Sequence, residues 1–539
     1  MMMAGAEAGD RGAAGVGERS AGATRVYACP QRDQLFLLPV CMRDWLEEGH
    51  VAWFVLDVVG ELDTAGLHRR PGGCAGRPPY EPEMMVALLL YAYCCGIRSS
   101  RRIEAACRTD AAFRVICGGL VPDHATIARF VVDHERALAG LFVEGLRLCA
   151  AAGLADLSVV ALDGTKVAAD ASLARNRDAV WIEREVAKLM AVTGEDEPPA
   201  AGPEGLPGVD AAAEISSATG RVARLRAALA VIEAEDAAAA AEAAEKTAAA
   251  AAAAEHGRKL RGQKPKAPAA ALARAEIDRA AASERLARMH AARERKLAAD
   301  ARGEQVKGPP PCRIERARLS LERAEAALAA ARETLARQHP PAPRHANITD
   351  PDSRIMKTQK GWVQGYNGQA IVNPRHIVLA CEVSQDHCDA ELYQPMTHTL
   401  ARTLAAAGID REVELVLADA GYCTEANLTT PGPDRLIAIT NDHKQRRANR
   451  ELGHTSGPPP PEATPIEAME HLLRTPQGTT AYTQRSGLIE PIFGDHKHNR
   501  GLRGFRRRGL NAARSEWAFI HLAGNLLKLH QHRTATATA

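Results

Sequence analysis

The chain has 539 residues, a formal net charge of +2, 46% hydrophobic residues and only 4% aromatic ones. Such a length exceeds one compact domain and implies several units. The near-neutral balance excludes a bulk electrostatic argument for any partner, so a nucleic-acid surface must come from local clusters. The cysteines number 12 with no Cys-x-x-Cys pair among them, which fits buried free thiols in a reducing compartment better than a disulfide framework.

Residues 1–25 are rich in Gly and Ala and lack an apolar targeting segment, so they read as a disordered lead-in. Runs such as Met84 to Leu90 are too short to span a bilayer. The expectation is a soluble cytoplasmic protein with no membrane partner.

Residues 26–150 have a helical texture and read as an N-terminal domain. Pro82 opens a helix with Met84, Met85, Leu88, Leu89 and Tyr91 on its apolar side, and Gly96 closes it. Ser99 or Ser100 can cap the next helix, and Asp123 starts a third, from His124 to about Arg136, with Ile127, Phe130 and Val131 inward. Short helices joined by tight turns fit a helix-turn-helix DNA-binding unit and a plain helical bundle equally.

Leu157 to Leu162 is a β-branched apolar run, read as a buried strand ending at Asp163-Gly164. Residues 155–176 form the first part of a core that residues 346–530 complete. Between them, 177–345 is Ala-rich and helical. Val222, Leu225, Leu229 and Ile232 follow heptad spacing, and Leu321, Leu328 and Leu335 repeat with Ala324 and Ala331 between them. Small residues on such a seam predict closely packed antiparallel coiled-coil arms, inserted into the core. Breaks fall at Pro198-Pro199, near Pro265 and Pro268, and at Pro309 to Pro311.

In the remainder, Gly368–Val372 and His376–Val383 read as a hairpin turning at Asn373-Pro374-Arg375. A helix follows over 390–407, then strands at 414–418 and 436–439, and a helical segment from Gly487. Residues 531–539 read as a disordered tail. The fold class expected is α+β: an RNase H-like mixed sheet flanked by helices, with an N-terminal all-α domain and a long coiled-coil insertion.

Asp163 and Asp419 each follow an apolar strand. A carboxylate there is costly to desolvate unless a cation compensates it, although a turn or a strand-end cap also accounts for either alone. Tyr482, Arg485, Glu490 and Lys497 form a Tyr-x2-Arg-x4-Glu-x6-Lys series. Downstream, Lys497, Arg500, Arg503, Arg506, Arg507, Arg508 and Arg514 make the strongest basic cluster in the chain, and no acidic residue interrupts it between His496 and Arg514. It suits a phosphate-binding surface.

The stretches ALDGTKVAADAS around Asp163, DPDSRIMKTQKGWVQGYNGQAIV from Asp350, VLADAGYCTEANL around Asp419 and IEPIFGDHKHNRGLRGF around Glu490 carry a resemblance. So does the helical PPYEPEMMVALLLYAYCCGIRSSRRIEAACRTDAAFRVICGGLVPDHATIARF. The chain resembles the DDE transposases of bacterial insertion sequences, in the branch with a Tyr-Arg-Glu-Lys motif around the catalytic glutamate. That resemblance implies metal-dependent cleavage at transposon ends and strand transfer to target DNA. Asp163, Asp419 and Glu490 would be the catalytic acids and would hold two divalent ions, Mg²⁺ or alternatively Mn²⁺. Tyr482, Arg485 and Lys497 would align the transposon end, and Arg500, Arg503, Arg506, Arg507 and Arg508 would bind DNA beside them. Work on paired ends implies a homodimer or larger assembly, which the arms could serve as well as they could pack internally. Competing readings are a repurposed DNA-binding protein without catalysis, a coiled-coil scaffold, and an RNase H-like nuclease without strand transfer.

Overall fold

The computed structural model describes residues 32, 41–68, 78–193, 218–255, 268–337, 343–358, 360–440, 444, 447, 451 and 453–538. The lead-in at 1–25, the breaks at Pro198-Pro199 and Pro265, and Cys29 and Cys74 lie outside the described residues.

Helices dominate the first 150 positions. Helix α1 (Val51–Glu61) is followed by α2 (Pro82–Cys94), with Pro82 at its start where a missing N–H costs nothing. Nearly every residue of α2 from Met84 to Ala92 is buried, so it is a central helix rather than a one-sided one. Gly96 ends this stretch with φ 72°, a conformation open to glycine. Helices α3 (Ser100–Thr109), α4 (Ala111–Ile116), α5 (His124–Asp133) and α6 (Glu135–Ala151) follow. Ser99 precedes α3 without a capping hydrogen bond from its side chain, whereas Asp110 and Asp123 cap α4 and α5. The third helix of the sequence reading stops at Asp133, and Arg136 belongs to α6.

Strand β1 (Val159–Ala168) does not end at Asp163 and Gly164 but runs straight through them, so the alternative of a turn there does not form. The reason is pairing: Asp163 and Gly164 oppose Ala370 and Gln369 of β5 (Gly361–Val372) in an antiparallel ladder. β5 also pairs with β4 (Arg354–Thr358) and β6 (Val378–Ser384), both antiparallel. On its other edge β1 pairs in parallel with β7 (Leu415–Ala418), which pairs in parallel with β8 (Asp434–Ile437). The result is a six-stranded mixed sheet ordered β4-β5-β1-β7-β8, with β6 also on β5. The β5–β6 turn lies where Asn373 and Pro374 predicted it: the Asn373 side chain accepts from the N–H groups of Arg375 and Ile377 at 3.0 and 2.9 Å. The short strands β2 (Asn176–Asp178) and β3 (His345–Asn347) form a separate pair.

Between β2 and β3 the chain makes α7 (Ala179–Thr193), α8 (Ala218–Glu255), α9 (Pro268–Asp300) and α10 (Pro311–Ala336). Their root is apolar, with Ile182, Leu225, Ala228, Ile232 and Ala346 in one buried cluster. Helices α9 and α10 pack side by side, joined through 301–310, and Leu328 is buried while Leu321, Ala324, Ala331 and Leu335 are half-buried.

Helix α11 (Tyr393–Ala406) covers β6, and short α12 (Glu425–Thr429) follows β7. Helix α13 (Pro465–Arg474) starts with a capping box between Thr464 and Glu467. Then come α14 (Pro476–Gly494), a π turn over Asp495–Asn499, and α15 (Leu510–Thr538). Positions 531–538, expected as a disordered tail, are therefore helical; Leu526 and Leu529 just before them are fully buried and anchor the helix.

One continuous buried cluster runs from Ala52 of α1 through the sheet to Leu529 of α15, so the N-terminal helices and the sheet share a core. The close fit of α6 on α15 depends on Gly145, where a Cβ would lie 2.2 Å from Leu522 Cδ1. Trp517 of α15 is fully buried, donates from Nε1 to the Gln369 carbonyl at 2.9 Å and stacks on Phe493 at 6.4 Å. Replacing Trp517 by Ala removes both the packing and the hydrogen bond. We expect a loss of about 3–5 kcal/mol, read as an earlier midpoint in urea-induced unfolding.

Candidate functional site

Parallel pairing of β1 with β7 aligns Leu162 with Ala418, so Asp163 and Asp419 follow as neighbours one strand apart. Adjacent strands lie about 4.8 Å apart, which leaves two carboxylates close together. Asp419 caps a 3₁₀ turn over Ala420–Tyr422, its Oδ1 accepting from Gly421 N at 2.8 Å. Asp163 Oδ1 accepts from Gly164 N at 2.7 Å and its Oδ2 from Arg485 Nη1 at 3.0 Å. Burial, followed by the Asp419 charge, pushes the Asp163 carboxyl up to about 6 against the opposing pull of Arg485.

Side chains alternate across a strand, so Asp163 and Thr165 share one face of β1. Helix α14 and the π turn reach that face: Arg485, almost fully buried, meets Asp163, and the Lys497 amine donates to Thr165 Oγ1. Tyr482 is buried one turn before Arg485. Glu490 is exposed. The buried side of α14 carries Tyr482, Arg485, Leu488, Ile489 and Ile492; at 3.6 residues per turn, Glu490 stands about 140° around the helix from Arg485. Asp163, Asp419, Arg485 and Lys497 are thus brought to one place, and Glu490 is not packed among them. Among the described residues, no group of three or more His, Cys, Asp or Glu side chains is arranged to hold a metal ion.

On the opposite face of β1, Gly164 and Lys166 meet a polar layer that the sequence reading missed. Asp389, in the loop before α11, accepts from Asn367 and Gln369 at 2.7 and 3.0 Å and pairs with Lys166 at 3.3 Å. Tyr422 donates to Gln369 Oε1 in turn. A Cβ on Gly164 would lie 2.1 Å from Gln369 Nε2 and 2.9 Å from Asp389 Oδ1, so any side chain there would have to push the Gln369 amide out of this network. Asp389 stands in a loop with no strand-then-acid pattern, so only the fold reveals it.

The basic stretch does not form one open surface. Arg500 is mostly buried and pairs with Asp495 at 2.8 Å. Arg507 pairs with Glu135 of α6, Arg508 with Asp170 at 3.0 Å and Arg514 with Glu382 at 2.6 Å. Arg503 and Arg506 are exposed. Most partners come from distant parts of the chain, which is why the stretch looked uncompensated in sequence. The segment is also pinned at the end of β1, where Phe505 N donates to the Ala168 carbonyl at 2.8 Å and Arg98 donates to the Gly504 carbonyl at 3.0 Å. The described cysteines are free thiols; Cys107, Cys117 and Cys149 are buried, while Cys95, Cys312 and Cys388 are exposed.

Two parts of the chain match known family models. Residues 41–133 match "Transposase domain (DUF772)", and residues 460–530 match "Transposase DDE domain". No curated protein and no solved structure matches. The two family matches support a DDE transposase of an insertion sequence, and with it a transposase function and DNA as the partner. The second match spans Tyr482, Arg485, Glu490 and Lys497, while Asp163 and Asp419 lie outside both. A DDE domain implies a divalent metal. The chemistry of Asp163 and Asp419 fits one, since two repelling carboxylates, one of them desolvated, offer the hard oxygen ligands that a divalent cation takes. No helix among the described residues is long and apolar enough to cross a membrane.

The raised Asp163 value has a consequence for stability without metal. A folded-state value of about 6, above the ordinary aspartate value of 3.8, favours the fold at acid pH. That contribution is complete below about 4 and gone above about 6, roughly 3 kcal/mol in all. In metal-free buffer, wild-type stability should therefore fall relative to Asp163→Asn as pH rises from about 4 to about 7. Thermal melts of both proteins across that range check this; parallel profiles would mean that Asp163 ionises normally.

Proposed function

We propose that the chain is an insertion-sequence transposase that cuts DNA at the ends of its element and joins the freed 3′ ends to target DNA. Asp163, Asp419 and Glu490 would hold two divalent ions, Mg²⁺ or Mn²⁺. The observation that carries the reading is the placement of Asp163 and Asp419 side by side on β1 and at the end of β7. The antiparallel β6-β5-β1 half and the parallel β1-β7-β8 half support an RNase H-like core.

When bound, the ions supply an activated water or 3′-hydroxyl and stabilise the leaving 3′-oxygen of an in-line displacement. Asp163 and Asp419 would hold the ions and so fix where the scissile phosphate sits. Arg485, beside Asp163, offers a guanidinium to a non-bridging phosphate oxygen, and Lys497 on Thr165 adds a second positive group to the same face. Tyr482, buried behind Arg485, holds that part of α14 in position and needs no covalent role. Glu490, exposed on α14, would complete the acid set once turned toward the two aspartates. The exposed Arg503 and Arg506 meet flanking phosphates. Both ends of an element must be joined together, so the enzyme works as a homodimer or larger assembly in the cytoplasm, with α8, α9 and α10 as coiled-coil arms.

A second reading, a DNA-binding protein without catalysis, is favoured by the exposure of Glu490 away from the two aspartates. One experiment separates the two. On a labelled duplex carrying the inverted repeats that flank the gene, Asp163→Asn, Asp419→Asn and Glu490→Gln should each reduce Mg²⁺-dependent cleavage at least about 100-fold and spare DNA binding. Unchanged cleavage by Asp163→Asn would overturn the catalytic assignment. Joining of a pre-nicked end to a target plasmid distinguishes a transposase from a nuclease without strand transfer.

A further inference from the structure

At the far end of β1, the root of the helical insertion meets the C-terminal basic segment around an open cavity of about 890 Å³. Its walls include Arg175 from the turn after β1, Arg221 and Arg224 from the start of α8, and Arg508. The acidic residues in those walls are Asp170, already paired with Arg508 at 3.0 Å, and Glu185. Among the described residues, no carboxylate forms an ion pair with Arg175, Arg221 or Arg224. Four guanidinium groups are therefore gathered from three separate segments against two acids, one of which is taken up by Arg508. Burial, and then the charges of Arg508 and Arg221, lower the affinity of the Arg224 guanidinium for its proton. A small-molecule pocket would be mostly apolar; guanidinium forks instead suit phosphate oxygens, which they bind in pairs.

We propose that this arginine-lined cavity is a binding site for the phosphate backbone of duplex DNA, formed jointly by the insertion and the core. The site deepens the transposase reading and rests on it. From Asp163 to Ala169, at the rim, the strand advances about 20 Å. That equals about six base-pair rises, so a duplex lying along β1 and cut at Asp163 would present backbone to the cavity half a helical turn away. The insertion would then hold the DNA flanking the cut, and α8 would be fixed in place by DNA as well as by its apolar root.

The test uses the full chain, a fluorescein-labelled random-sequence duplex and fluorescence anisotropy in metal-free buffer, from about 50 to about 200 mM salt. The triple variant R175A/R221A/R224A should bind at least about tenfold more weakly at the low-salt end. Its slope of log Kd against log salt should shrink by about 2 to 3, the loss of roughly three phosphate contacts. The variant R175K/R221K/R224K should keep most of the slope. Unchanged affinity and slope in the alanine variant would overturn the proposal, as would a lysine variant that loses as much as the alanine one, since that marks a structural role. Should the alanine variant fail to fold, the single variants R175A, R221A and R224A replace it, each expected to lose about 1 from the slope. If wild type cuts DNA in Mg²⁺ while the alanine variants bind normally, the cavity proposal alone fails. If wild type binds through the cavity but never cuts, the transposase reading alone fails.

Discussion

The parallel pairing of β1 with β7 is the constraint on which the rest depends. It joins segments separated by the whole helical insertion and sets Asp163 beside Asp419 in a partly desolvated place. Two carboxylates so placed repel each other, and the repulsion must be met by something positive. In the chain itself Arg485 meets part of it, at 3.0 Å from Asp163. The same pairing leaves the other edge of β1 to β5, and the β5–β1 ladder then carries the strand through Asp163 and Gly164 without a turn.

Around this pair the two faces of β1 have different duties. The Asp163 face is cationic, with Arg485 and Lys497 supplied by α14 and the π turn. The Gly164 face is a closed polar network in which Asp389, Asn367, Gln369 and Tyr422 satisfy one another, and Lys166 balances the Asp389 charge. Such a network is stabilising only when its members are paired, and it supports the backbone on which Asp163 rides. Helix α15 packs on the Asp163 face beside α14: Trp517 bonds β5, and Gly145 lets α6 approach α15 closely. The N-terminal helices are consequently built into the same core as the sheet.

The basic C-terminal segment shows how charge is divided between folding and binding. Arg98 with Glu516, Arg500 with Asp495 and Arg507 with Glu135 are interior or half-buried pairs. Breaking one partner of such a pair is costly because it strands the other. Arg503 and Arg506 remain at the surface. Arg175, Arg221 and Arg224 also gather at the root of the insertion, drawn from two separate stretches of sequence.

Much of the fold was legible in the amino-acid order because local rules decide it. Pro82 and Asp123 mark helix starts, Gly96 a helix end, Asn373-Pro374 a reversal, and the apolar run before Asp419 a buried strand. Asp163 and Asp419 stood out for the same reason, as acids attached to apolar strands. What only the tertiary structure decided depends on contacts between distant residues. Pairing to β5 overrode the turn at Asp163-Gly164, and burial of Leu526 and Leu529 carried α15 to Thr538. Asp389 acquired its place through partners on other strands, and the arginines after His496 met acids from Asp170, Glu135 and Glu382. Propensity and periodicity act over a few residues, whereas charge compensation and register are settled across the whole chain. The sequence alone therefore determined which elements form and which acids are candidates; the packing decided which charges stand together.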